Sequence, residues 1–264
     1  MIPAPHLVAV VLGATAGLAT WRLRLLSIVG SCVAAGLGAV ALMAGIPWAM
    51  LLLAFFIPAT ALSRWRRRIK AQRTAGVLAE EPVRRASQVC ANGGLFGLAA
   101  IAALVSPMEW PAVVAIGALA AAAADTWATE VGIGMGGAPW SLRHRTRVPP
   151  GTSGAVTLAG TVAMCLGAAW MGTSAVLAGF DPAAAVAGAV GGVGGALGDT
   201  LLGATVQHRR WCPACQRGTE REVHDCGTPT RGDGGWRFMS NDVVNVLSTL
   251  IGAAVTVAWH RAFS

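Results

Sequence analysis

Apolar residues in this chain come in long runs rather than at the 3.6-residue spacing of an amphipathic helix, and short polar, mostly basic stretches separate the runs. Segments of bilayer-crossing length lie near 4–20, 25–45, 47–62, 88–105, 111–132, 155–179, 183–206 and 242–262. The pattern predicts an all-α, polytopic integral membrane protein with about eight transmembrane helices. The third is short, and the second and third read as a hairpin turning at Gly45-Ile46-Pro47. No basic stretch precedes the first run and no small-residue cleavage site follows it, so it reads as a retained helix rather than a signal peptide. Three regions result: membrane helices without a recognisable motif at 1–63, a basic loop at 64–86, and a membrane domain at 87–264 that carries a Cys/His loop at 207–238. No separate soluble domain is expected.

Composition strengthens the membrane reading. The chain is 55% hydrophobic and 12% charged, with mean hydropathy +0.59, whereas soluble domains carry about 25% charged residues. A soluble helical core would need polar helix faces at a 3.6-residue period, which most of these segments lack. The net charge of +8 and pI ≈ 10.4 do not point to nucleic acid, because the cations flank the apolar runs. Arg22 and Arg24 follow the first run, the cluster from Arg64 to Arg85 the third, Arg143, Arg145 and Arg147 the fifth, and Arg209, Arg210, Arg217 and Arg221 the seventh. Eight crossings put all of these on one side, which the positive-inside rule makes cytoplasmic. The opposite loops, Ser106-Pro107-Met108-Glu109 and Gly179-Phe180-Asp181-Pro182, hold no basic residue, and both termini fall outside. Cys32, Cys90 and Cys165 sit singly in apolar runs as small packing residues.

Against this background the acids stand out. A carboxylate at mid-membrane costs about 2.5–3.5 kcal/mol on insertion scales, so an acid in such a run reads as a functional site. AAAADTWATE and GGALGDTLLG place Asp125-Thr126 and Asp199-Thr200 toward the basic-loop end of the fifth and seventh spans, together with Thr129 and Glu130. Asn92 opens the fourth span and Asn241, Asp242 and Asn245 open the eighth at that same end, so four helices are expected to deliver acids and amides to one cytoplasmic-facing pocket. Thr126 and Glu130 share a helical face, as do Asn241 and Asn245. Carboxylates with substrate phosphates are the ligands Mg²⁺ prefers, and Asp125, Glu130, Asp199 and Asp242 offer them. Asp242 serves equally as a helix cap beside Ser240 and Asn241.

The run from Arg143 to Gly154 leads into the sixth span. Arg145 and Arg147 can bind phosphate bidentately, and the backbone of Gly151, Thr152 and Gly154 can approach an anion at a helix N-terminus. The same residues also read as ordinary topology determinants. It is not a Walker A loop, since the Gly-Lys-Ser/Thr element is missing. Asp125 and Asp199 lie 74 positions apart (199 − 125), and each Asp-Thr pair precedes a Gly-Thr step, Gly151-Thr152 or Gly227-Thr228. That reads either as a parallel repeat or as coincidence in a Gly/Ala-rich chain. Cys212, Cys215, His224 and Cys226 form the ligand set of a closed structural zinc site in a loop assigned to the reducing side, where disulfides are rare.

DTWATEVGIG, RVPPGTSGAVTLAGT, GDTLLGATVQ with the following CPAC and HDCGTP, and NDVVNVLSTLIGA resemble the integral-membrane family of phytyl-phosphate kinases. The similarity covers roughly residues 84–260 and includes Gln88, Asn92 and Gly93. Thr129 stands where serine is usual, and Ser153 where asparagine is common. The resemblance implies a polytopic helical fold and transfer of the γ-phosphate of a nucleoside triphosphate, ATP or CTP, to an isoprenoid monophosphate lipid. In that scheme Asp125, Glu130 and Asp199 hold Mg²⁺, Arg145, Arg147 and the Gly151–Gly154 backbone take phosphates, and Asn92, Asn241 and Asn245 orient oxygens. Two other classes use the same residues: a transporter or flippase in which intramembrane acids carry cations, and a cytidylyltransferase making a CDP-activated lipid.

Overall fold

The computed structural model describes residues 4–78, 83–106 and 108–264, so Pro107 of the predicted opposite-side loop lies outside the described residues. The chain forms α1 (Ala4–Arg22), α2 (Ile28–Ala44), α3 (Ile46–Arg64), α4 (Arg67–Thr74), α5 (Ala86–Val105), α6 (Trp110–Met135), α7 (Leu158–Ala178), α8 (Pro182–Thr205) and α9 (Asn241–Phe263). Among the described residues there are also five strands of two or three residues: β1 (Trp140–Ser141), β2 (Ala155–Val156), β3 (Arg210–Cys212), β4 (Arg217–Thr219) and β5 (Arg231–Gly232).

Eight helices match the eight apolar runs, and six of them, α3 and α5 to α9, are long and apolar enough to cross a membrane. Helix α2 is apolar but only 17 residues long, so a count of eight spans is approximate. The hairpin of α2 and α3 turns at Gly45, whose N–H bonds back to Ala41 and Leu42. The interval 64–86 is no plain loop, because α4 occupies its first part.

Helix starts follow local chemistry. Ser27, Thr157, Asp181 and Ser240 each accept the backbone N–H three residues on, and α3, α6 and α8 begin with proline. Ser240 is thus the cap of α9, which leaves Asp242 in the first turn without that duty.

Helix α6 is the axis of the bundle. Of its span, 61% is buried against 22% for α3, and it packs against α5, α7, α8 and α9. Lipid tails are as apolar as leucine, so membrane helices associate through close backbone approach and hydrogen bonds rather than hydrophobic gain. The run Ala118–Ala124 supplies the small surface, and Ser248 of α9 donates to the Gly195 carbonyl of α8 at 3.0 Å. A Cβ on Gly195 would lie 2.7 Å from the Ser248 carbonyl, so α8 and α9 can meet there only through glycine. On the outside, large apolar side chains such as Ile57, Leu98, Leu158 and Leu177 are at least 60% exposed, a surface suited to a bilayer rather than to water.

The basic connections gather at one end of the bundle. There β1 pairs with β2, and β3 stands between β4 and β5, all antiparallel. Leu25 and Ser27, after α1, bond to Arg84, ahead of α5.

Candidate active-site cleft

At that end lies a cleft of ≈ 880 Å³, within the range of small-molecule sites. Asp125 and Thr129 line it from α6, Asp199 and Thr200 from the last turns of α8, and Asn241 and Asp242 from the start of α9. Asp125 and Asp199 thus face one cavity from two neighbouring helices. One carboxylate oxygen of Asp199 is buried and has no hydrogen-bond partner. A desolvated carboxylate beside a second acid is costly unless a cation or proton joins it. Carboxylate and hydroxyl oxygens from three helices make a hard donor set, suited to Mg²⁺ more than to a soft metal.

Glu130 has a different office from the one expected of it. One of its oxygens accepts the Ser63 hydroxyl at 2.6 Å, and the other forms an ion pair with Lys70. Lys70 also donates to the carbonyls of Leu62 at 2.7 Å and Ser63 at 3.0 Å, closing the end of α3. Arg84 donates to the Ser63 hydroxyl at 2.7 Å. With both carboxylate oxygens engaged, Glu130 anchors α4 and the α3 terminus even though it lines the cleft together with Asp125, Asp199 and Asp242. Arg73 and Arg66 donate to the carbonyls of Ile133 and Gly134, the C-terminal orphans of α6.

The cationic rim comes from elsewhere than the arginine loop. Arg64, Arg67, Lys70, Arg84, Arg85 and Arg221 line the cleft, whereas Arg145 and Arg147 do not. The β1–β2 pairing carries residues 142–149 away from the cleft. Arg145 sits at the exposed tip with φ of 52°, its N–H on the Ser141 carbonyl. Arg147 donates to the Ala138 carbonyl at 2.6 Å and lies over the Trp140 ring. The glycine segment after the tip does reach the cleft: Gly151 to Gly154 line it. Gly154, with φ of +70°, packs on the Ala204 backbone where no Cβ fits, so this glycine is demanded by α8. Ser153 donates to Glu220 at 3.0 Å and accepts from Gln207 at 2.9 Å.

Three further expected residues stay off the cleft. Thr126 is one position, about 100° of rotation, past Asp125, so Thr129 shares the cleft face with Asp125 instead. Asn92 donates to the Gln88 carbonyl one turn back, at 3.0 Å, and Gln88 takes the lining position. Asn245 is half-buried one turn beyond Asn241. The sequence pattern does not single out Ser63, Gln207 or Glu220, and it shows Lys70 and Arg84 only as two more cations of the basic interval after the third span.

The ligand atoms of Cys212, Cys215, His224 and Cys226 all lie within 4.8 Å of one another. Cys212 and Cys226 sulfurs are 3.7 Å apart, and His224 Nδ1 is 3.3 Å from the Cys226 sulfur. Cys226 is drawn down to about 6, first by hydrogen bonding with Thr228, and Cys215 is pushed up to about 11, first by its contact with Cys226. The second Gly-Thr step, Gly227-Thr228, belongs to this cluster and not to the cleft, so the suggested repeat does not extend to a second phosphate loop.

Comparison with known sequences now bears on these residues. The family model for Integral membrane protein DUF92 matches residues 11–253, nearly the whole chain. The chain belongs to the DUF92 family. An uncharacterized membrane protein of Methanocaldococcus jannaschii is 28% identical over 213 residues, covering 81% of this chain and 76% of its own length. No solved structure matches the chain significantly. The match takes in every acid of the cleft, so the DUF92 region and the candidate site coincide.

Proposed function

We propose that this DUF92 member is a Mg²⁺-dependent prenyl-phosphate kinase, passing the γ-phosphate of ATP or CTP to an isoprenoid monophosphate at the membrane surface. One observation carries the reading: Asp125 and Asp199, the latter with a buried unpartnered oxygen, face a cleft rimmed by arginine and lysine. Acids for a metal opposite cations for phosphate are the needs of phosphoryl transfer, which asks for positioning and charge neutralisation more than covalent help. Mg²⁺ on Asp125, Asp199 and Asp242 would neutralise charge developing on the phosphate oxygens. Lys70 keeps its place through Glu130, and the arginine and lysine rim would set positive charge against the two phosphate groups. An oxygen of the acceptor monophosphate attacks the γ-phosphorus as the bond to the departing nucleoside diphosphate breaks. The acceptor arrives ionised, so no side chain need remove a proton. Met164 of α7 and Leu197 of α8 continue the cleft as an apolar wall toward bilayer depth, the path for the isoprenoid tail.

Purified protein offered a panel of prenyl monophosphates with γ-labelled ATP or CTP is expected to form labelled diphosphate only with Mg²⁺ present. Release of pyrophosphate from CTP with a CDP-lipid product would establish the cytidylyltransferase instead. Cation-coupled lipid movement in vesicles without nucleotide turnover would establish the transporter.

The reading also requires the cleft to face the cytoplasm, where nucleotide is. Arg145→Cys, at the exposed loop tip, is expected to resist impermeant thiol reagents in intact cells and to label after permeabilisation. Met108→Cys, 66% exposed at the other end, is expected to label from outside once the native cysteines are shown silent. Labelling of position 145 in intact cells would remove the kinase reading.

A further inference from the structure

The Cys/His cluster lies beside the cleft, and its strands touch the segment that closes it. Glu220, next after β4, donates its N–H to the Val77 carbonyl at 2.8 Å. The Thr219 hydroxyl donates to that carbonyl at 3.2 Å, and the Arg221 guanidinium to the Leu78 carbonyl at 3.0 Å. Gly76, with φ of +77°, abuts the His224 ring so closely that a Cβ would lie 3.2 Å from Nε2. On its other side the segment packs Thr74 and Leu78 against Gly151, while Glu220 holds Ser153. Three connections from distant parts of the chain therefore interlock over one end of the cleft. The third of them is built on strands of only two or three residues, too small to order themselves.

We infer that a Zn²⁺ ion held by Cys212, Cys215, His224 and Cys226 acts as a clasp, fastening the segment Thr74–Leu78 and the Glu220 carboxylate over the cleft. In a tetrahedral site with Zn–S of about 2.3 Å, ligand sulfurs stand about 3.8 Å apart, whereas disulfide sulfurs stand about 2.0 Å apart. The 3.7 Å between Cys212 and Cys226 is the metal-site spacing. Three thiols and one imidazole fill all four positions, so the ion is structural, and its binding energy orders the loop. Cys212 pairs across the ladder with Arg217, which links the metal to β4 and through it to Val77. The clasp rests on the proposed phosphotransfer only for what lies beneath it.

Metal analysis and hydrogen exchange test this in detergent-purified protein without nucleotide or lipid, so an inactive preparation does not disturb the readout. About one zinc per chain is expected, with chelation speeding exchange of the Glu220 amide and of residues 74–78 by about tenfold or more, the loss of one or more hydrogen bonds. Amides in α6 to α9 keep their protection, and added Zn²⁺ restores the slow exchange. The pair Cys212→Ser and Cys226→Ser should reproduce the chelated state; the reversible chelation arm stands by itself if that variant does not fold. Protein without zinc, or exchange at 74–78 and Glu220 unchanged when zinc is removed, overturns the clasp. Failure of phosphoryl transfer with the clasp intact would refute the kinase alone.

Discussion

If the proposed kinase reading holds, Asp199→Asn is expected to lower phosphoryl transfer about a thousandfold or more, and Asp125→Asn to do the same, because each would remove a charge meant to hold Mg²⁺ against the phosphates. The substitution keeps shape and hydrogen-bonding size, so expression and membrane insertion should persist. Asn relieves the burial of two like charges in neighbouring helices, and thermal stability should therefore hold or rise. Loss of turnover with an undiminished unfolding midpoint is the signature of a functional acid. The turnover of each variant with saturating Mg²⁺ is the measurement, and near-normal rates in both would end the metal role. Glu130→Gln is the internal control. Its carboxylate is already committed to Ser63 and Lys70, so its effect should appear mainly in stability.

Lys70→Met is expected to give the largest stability loss at the cleft, about 3 kcal/mol, because the buried Glu130 charge loses its partner. The Lys70 and Glu130 side chains are only 10% and 20% exposed, so solvent does little to replace the missing ammonium. The carbonyls of Leu62 and Ser63 lose their donor in the same stroke. In detergent the unfolding midpoint should fall by several degrees, and adding Glu130→Gln should recover part of the loss by removing the stranded charge. An unchanged midpoint in Lys70→Met would show that α4 is not fastened through this pair.

Local chemistry made the spans legible. Span boundaries depend on the transfer free energy of consecutive residues, so the run at 47–62 and the helix Ile46–Arg64 agree closely, as do 88–105 and Ala86–Val105. Caps are local too, and Ser240 is recognisable one residue before α9. The clustering of basic connections at one end followed from the parity of the crossings. Asp125 and Asp199 were conspicuous because a carboxylate is costly in an apolar run wherever the helix faces.

Rotation and partnership were not legible, because they depend on residues far away in the chain. Glu130 meets Lys70 and Ser63 across 60 and 67 positions, and nothing near Glu130 distinguishes an anchor from a metal ligand. Arg145 and Arg147 follow the pattern of a phosphate loop, yet the β1–β2 pairing turns them to solvent while α4 and Arg84 bring their charges to the cleft. Thr126 and Thr129 differ only in helix rotation, which the packing of α6 against α5, α7, α8 and α9 sets. The sequence by itself determined which segments enter the membrane, at which end their charged connections gather and which acids are anomalous there, since each follows from the energetics of neighbouring residues. Only the tertiary structure decided which acid is paired and which is left open, because that choice is made by helix rotation and by contacts between distant segments.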